Sequence, residues 1–350
     1  MSLEREAQLA TAIGRLPSIK LGYFPTPLEP LPRLSAALGG PPIYVKRDDL
    51  TGLAFGGNKT RMLELSLAAG MDRGIDTVVM GAAVQSNYCR QLAAACAKLG
   101  LTLHLLLRPE RPEDQTTIQG NHFLHRLFGA QVTILPDNNR AAQQAAVGAY
   151  ADELRRAGKR VYVPRQPDTV DLDAIAYAEV ALEIVQQART LGLQPAYLYT
   201  TAYDTTQAGL VLGLHALGRP FHVRGITPTA LPLSERQHKM VTMANQGAER
   251  LGLPLEFHAD DFETDDRFIG ERYGVASPAS LEAVHLLAKT EGILIDPVYT
   301  GKGLAGLIAH IRQGQLDPTV PVIFLHTGGA PALFAFVEDV LAYNDSPVAG

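Results

Sequence analysis

Cysteine is scarce in this chain: 350 residues contain two, Cys89 and Cys96. If both lie on one helix, seven residues of rise separate them by about 10 Å, too far for a disulfide. With no histidine cluster beside them, they do not make a structural zinc site either. Basic runs are also missing. Lys and Arg total 31 against 36 Asp and Glu, a net charge of −5, which argues against nucleic acid or an anionic membrane as a partner. No uninterrupted apolar run reaches the roughly 18 residues of a membrane span. The opening Met1-Ser2-Leu3-Glu4-Arg5-Glu6 has no basic region leading into an apolar stretch, so a cytoplasmic protein is expected.

What is present is a chain 46% hydrophobic, long enough to bury a real core and to split into two lobes. Short β-rich runs alternate with longer helical patterns. Strands are expected at 43–46, 77–80, 102–107, 132–135, 161–164, 196–200, 223–227 and 320–326. Helices are expected at 61–69, 87–99, 114–128, 139–157, 172–191, 206–217, 278–289 and 302–311. Such alternation predicts an α/β fold with parallel sheets flanked by helices. Gly100, Gly129, Gly158, Gly192 and Gly218 follow candidate helices, as C-terminal caps do. The Pro-rich Phe24–Pro30 stretch reads as an extended arm, and Pro164-Arg165-Gln166-Pro167-Asp168 as a crossing between lobes. We therefore expect a smaller α/β lobe at 62–170 inserted into a larger one formed by 1–61 and 171–350. Ligands in such sheets bind beyond the carboxyl ends of the strands, where lobes meet.

Four runs carry groups suited to chemistry. Lys59 lies in Phe55-Gly56-Gly57-Asn58-Lys59-Thr60-Arg61, where the glycines allow backbone to approach a ligand closely. Lysine forms Schiff bases with aldehydes and can then act as a base. Gln85-Ser86-Asn87 stands at an expected helix start, where free N–H groups favour an anion such as a carboxylate; simple capping explains Ser86 equally well. Ile295–Leu304 reads as a strand end, a glycine-punctuated turn and a helix, with Tyr299 and Thr300 at the top of the sheet. There a tyrosine hydroxyl serves as acid or base. His326-Thr327-Gly328-Gly329 repeats the strand-to-turn pattern.

Together these runs resemble the D-cysteine desulfhydrase and 1-aminocyclopropane-1-carboxylate deaminase family of pyridoxal-phosphate enzymes. The likeness extends from Pro25-Thr26-Pro27-Leu28-Glu29 and Lys46–Leu53 through the Lys59 loop and Gln85-Ser86-Asn87. It continues through Gln207-Ala208-Gly209-Leu210 and Asp296–Tyr299 to His326–Gly329. The resemblance implies a two-lobed tryptophan-synthase β-like fold, a homodimer, and Lys59 in Schiff-base linkage to pyridoxal 5'-phosphate. It further implies Asn58, Asn87, Thr205, Thr206, Thr300, Thr327 and Gly328 as cofactor contacts. Ser86, Asn87 and Tyr88 would receive a small amino-acid substrate flanked by Tyr273 and Tyr299. Ser86, Tyr273 and Tyr299 join Lys59 as the expected catalytic groups. Deaminases of the family carry glutamate after the tyrosine, near the pyridine nitrogen. Thr300 is neutral, a weaker holder of that proton, and favours expulsion of a good leaving group such as thiolate over ring opening.

Two departures from the family pattern stand out. The phosphate loop, glycine- and serine-rich in the family, reads Thr200-Thr201-Ala202-Tyr203-Asp204-Thr205-Thr206 here. Two unit negative charges about 4 Å apart repel by roughly 4 kcal/mol at an effective dielectric of 20. Asp204 must therefore turn away as a helix cap, weaken phosphate binding, or go with a different natural ligand. Tyr88 replaces the usual glutamine or histidine. The sequence thus predicts an α,β-eliminating lyase acting on D-cysteine. L-cysteate sulfo-lyase or 1-aminocyclopropane-1-carboxylate deaminase are alternatives of the same chemistry, and a non-catalytic binding homologue is the alternative of another class.

Overall fold

The computed structural model describes residues 3–201 and 204–343. Ala202 and Tyr203 lie outside these, so the expectation concerning Tyr203 falls outside the described residues. Among the described residues, ten strands form two sheets: β1 Leu28–Pro30, β2 Ile43–Arg47, β3 Thr77–Ala83, β4 Thr102–Arg108, β5 Gln131–Ile134, β6 Val161–Tyr162, β7 Tyr197–Thr201, β8 His222–Ile226, β9 Glu263–Asp265 and β10 Val322–His326. One sheet has the order β1-β2-β10-β7-β8-β9, the other β5-β4-β3-β6. Every pairing is parallel except that of β1 on β2. This is the α/β class with parallel sheets flanked by helices.

Alternation of side chains along each strand assigns its two faces to different cores. In β10, Ile323 and Leu325 pack with helices Val170–Thr190 and Thr205–Ala216. Val322 and Phe324 point the other way, against helices Pro278–Glu291 and Thr300–Arg312. The smaller sheet repeats the pattern. Val78, Leu105 and Leu107 face helix Asn87–Leu99, whereas Val79 and Leu106 meet Val147 and Ala151 of helix Arg140–Arg156. All eight expected strands are found; those buried on both faces, such as β10, read as continuous apolar runs. The five capping glycines have positive φ.

Two local expectations need correction and one gains detail. The span 114–128 is two helices, Glu113–Thr116 and Gly120–Leu127. The break lets the Asn121 N–H bond Gln85 Oε1 at 2.9 Å, and Gly120 takes a left-handed φ of 53°. No strand precedes Asp296. Its buried carboxylate instead accepts from the N–H groups of Val298 and Tyr299 at 2.9 and 2.7 Å, so side-chain bonds replace a sheet ladder. The extended arm does contribute a strand, the antiparallel edge β1.

Behind Lys59, helix Lys59–Asp72 is anchored by a buried ion network. Arg61 donates to Asp48 at 3.0 Å and to Glu183 at 2.8 Å. Lys46 reaches Glu183 at 2.8 Å. Thr26 and Tyr177 hydroxyls each donate to Asp48 at 2.7 Å. Burial alone would raise the Asp48 pKa, but the charges of Arg61 and Lys46 hold it below the usual carboxylate value.

Candidate active site

A cavity of about 1160 Å³ opens at the carboxyl ends of β3, β6 and β7, between the two sheets. Lys59, Asn58, Ser86, Asn87, Tyr88, Thr205, Thr206, Tyr273, Tyr299 and Thr327 all line it, although they are scattered over most of the chain. Thr300 and Gly328 do not. Thr300 is fully buried with its hydroxyl donated to Asp296 Oδ2 at 2.8 Å. Gly328 sits behind the wall, and a Cβ there would come within 2.6 Å of Gly57 Cα.

The Lys59 loop is fastened from several sides. Arg90, fully buried on helix Asn87–Leu99, donates to the carbonyls of Ala54 at 2.7 Å and Gly56 at 2.9 Å. Its neighbour Gln91 accepts from the Thr60 N–H at 2.8 Å. The Gly57 N–H bonds Thr51 Oγ1 at 2.8 Å, and Gly57 takes a φ of 127° that a side chain rarely adopts. Asn58 N–H donates to the Thr327 carbonyl at 3.0 Å, and Asn58 Nδ2 to Thr206 Oγ1 at 3.0 Å. These bonds tie the loop to both neighbouring turns. The Lys59 side chain makes no hydrogen bond or ion pair among the described residues. Burial, with the like charge of Arg165, pushes its amine down to about 8. A lysine presented this way is closer to a nucleophile than a surface ammonium is.

Ser86 plays both roles allowed by its position. Its hydroxyl caps helix Asn87–Leu99 by accepting from the Cys89 N–H at 3.2 Å, and it lines the cavity. The amides of Asn87 and Tyr88 have no intrahelical partner, as in any first turn, and form an anion seat. Asn121, whose role is not visible in the sequence, holds the Asn87 side chain. Tyr88 is buried with an unpartnered hydroxyl. Across the cavity, the hydroxyls of Tyr273 and Tyr299 touch, with rings edge-on at 5.8 Å.

Asp204 does cap a helix, accepting from the Thr205 N–H at 2.8 Å, yet it also lines the cavity. A second residue missed in the sequence answers its charge: Arg165 forms an ion pair with Asp204. Arg165 Nε lies 3.8 Å from Asp173, and the guanidinium stands 5.5 Å over the Tyr88 ring. Asp173 is 1% exposed, and neither carboxylate oxygen has a hydrogen bond. Burial pushes its pKa up to about 6. In the sequence Arg165 is only one residue of a crossing between lobes; the fold places it beside Asp204.

Comparison with known proteins supports what the geometry suggests. The family described as pyridoxal-phosphate dependent enzyme matches residues 19–328. D-cysteine desulfhydrase of Salmonella typhi is 39% identical over 328 residues, covering 93% of this chain and 97% of that protein. Among solved structures, an ACC deaminase homologue superposes with a TM-score of 0.86 at 30% identity, over 98% of this chain and all of the other. A hydrogen sulfide-producing enzyme from Fusobacterium nucleatum shares the fold, with a TM-score of 0.61 at 19% identity over 87% of this chain and 96% of its own.

Proposed function

Since the chain belongs to the pyridoxal-phosphate-dependent enzyme family, we propose that it is a lyase converting D-cysteine and water to pyruvate, ammonia and hydrogen sulfide. The observation that carries this reading is the unpaired, low-pKa amine of Lys59 facing a polar cavity, in a chain 39% identical to a D-cysteine desulfhydrase.

The residues present fit the cofactor. The donor set offers an amine for its aldehyde at Lys59 and an amide donor at Asn87. The start of helix Thr205–Ala216 offers the free N–H groups of Thr206 and Gln207 and the Thr206 hydroxyl for its phosphate. Glycine is needed where the loops meet: a Cβ on Gly57 would come within 2.6 Å of Gln91 Nε2. We assign Lys59, Asn58, Asn87, Thr205, Thr206 and Thr327 to holding it. Thr300 and Gly328 support that wall from behind.

When bound, pyridoxal phosphate supplies a conjugated electron sink for charge developing at the substrate Cα. The protein does the rest. The Asn87 and Tyr88 amides and the Ser86 hydroxyl bind the substrate carboxylate and fix its orientation. Lys59 Nζ, held close to the Cα, takes its proton, an effect of proximity worth several orders of magnitude in rate. The Tyr273 and Tyr299 hydroxyls hold a proton for the departing sulfur. The same reading divides the chain into lobes at 61/62 and 170/171 and makes it a cytoplasmic homodimer.

The test is direct. Borohydride reduction followed by peptide mapping should place a pyridoxyl group on Lys59, and Lys59→Ala should abolish sulfide release from D-cysteine. Sulfite from L-cysteate, or α-ketobutyrate from the cyclopropane acid, at a higher rate would reassign the substrate. A protein that stays colourless with added cofactor would be a binding homologue.

A further inference from the structure

Arg165 stands out among the cavity groups that the proposed mechanism does not use. It is held with a left-handed φ of 63°, which is uncommon for a residue with a side chain. Its guanidinium projects into the cavity between two acids: paired with Asp204 and 3.8 Å from Asp173. Asp204 lies at the rim of the helix start where the anion seat is, and one of its oxygens takes the Thr205 N–H. What remains for an anion are the free amides of Thr206 and Gln207 and the Thr206 hydroxyl, whose oxygen already accepts from Asn58. That seat carries an aspartate at its edge and needs a cation. Beneath Arg165, Tyr88 lines the same cavity, and its buried hydroxyl has no partner among the described residues.

We propose that Arg165 is the phosphate-binding cation of this site, screening Asp204 in the cofactor-free chain and donating to the phosphate when pyridoxal phosphate binds. This rests on the reading of the cavity as a pyridoxal-phosphate site. A guanidinium suits the task because its fork matches phosphate oxygens while still contacting a carboxylate. It also accounts for how an aspartate is tolerated next to a dianion: the pair Arg165–Asp204 is neutral, so the phosphate meets no net repulsion from it.

The test is a double-mutant cycle on the full-length chain stripped of cofactor, comparing pyridoxal phosphate with pyridoxal, which lacks the phosphate. Arg165→Gln should weaken pyridoxal phosphate by about a hundredfold while changing pyridoxal by less than about threefold. Asp204→Asn should tighten pyridoxal phosphate by about tenfold, and the double variant should fall between the two single variants. Arg165→Lys keeps the charge and should retain most of the affinity, a control for folding. Equal shifts for both aldehydes, or no shift, in Arg165→Gln would overturn the assignment, as would an unchanged preference for the phosphorylated aldehyde in Asp204→Asn. Inorganic phosphate separates this from the catalytic reading. It should raise the melting temperature of wild type but not of Arg165→Gln, whether or not Lys59 forms a Schiff base. Equal responses of the two proteins to phosphate would also refute the role of Arg165.

Discussion

Asn121 donates from Nδ2 to Asn87 Oδ1 at 2.8 Å and, from the same nitrogen, to the Gln85 carbonyl at 2.9 Å. This settles which way the Asn87 amide points: with its oxygen occupied, its NH2 group is left to donate into the cavity. Asn121 is fully buried and does not line the cavity, so it acts through Asn87 as a positioning residue.

Asn121→Leu should therefore lower kcat by about tenfold or more by releasing Asn87, and cost about 1–3 kcal/mol of stability through two orphaned acceptors. Steady-state kinetics with denaturant unfolding checks both. A variant that loses stability but keeps kcat would make Asn121 structural only.

Arg61→Leu should destabilise the fold by about 3–5 kcal/mol, since it strands Asp48 and Glu183 beside Lys46. Because the Asp48 pKa is lowered in the folded chain, its contribution is present above the unfolded value near pH 4 and lost as pH falls through the lower folded one. Urea titrations of wild type and variant should thus converge in acid. A gap that persists there would mean the network acts by packing and not by charge.

How much of this was legible beforehand depended on whether the signal was local. Helix Asn87–Leu99 could be placed to the residue because Ser86 caps it and Gly100 ends it. Lys59, Ser86 and Tyr299 were legible because each sits in a short run of glycine, proline or capping residues. Arg165, Asn121 and Asp173 were not, since each matters through a partner 34 to 39 residues away or on another element. The break before Gly120 was missed for the same reason: helical periodicity continues through it, and Gln85 decides it.

Asp173→Asn should flatten the dependence of stability on pH. The folded pKa of about 6 lies above the unfolded value of about 4. The group therefore stabilises fully below about pH 4, and this is lost as pH rises through about 6. Arg165, Asp204, Lys59, Tyr88 and Tyr162 are the charged or titratable groups that act on it. Measured on cofactor-free protein, the difference between variant and wild-type unfolding free energy should change in favour of the variant by about 3 kcal/mol between acid and neutral pH. A constant difference would show that Asp173 ionises as an ordinary carboxylate.

The amine of Lys59 offers the sharpest pH test. With its pKa pushed down to about 8 by burial and Arg165, the neutral, reactive fraction at neutral pH exceeds that of an ordinary lysine by roughly two orders of magnitude. Attachment of pyridoxal to the cofactor-free chain, followed by visible absorbance, should accelerate with pH up to about 8 and then level off. An ordinary lysine would keep accelerating to about pH 10. Removing the like charge in Arg165→Gln should move that plateau to higher pH, while Asp204→Asn, which removes an attractive charge, should move it lower. Opposite shifts from two residues that pair with each other are not expected of a general loss of structure, so the two directions together report the electrostatics acting on Lys59 Nζ.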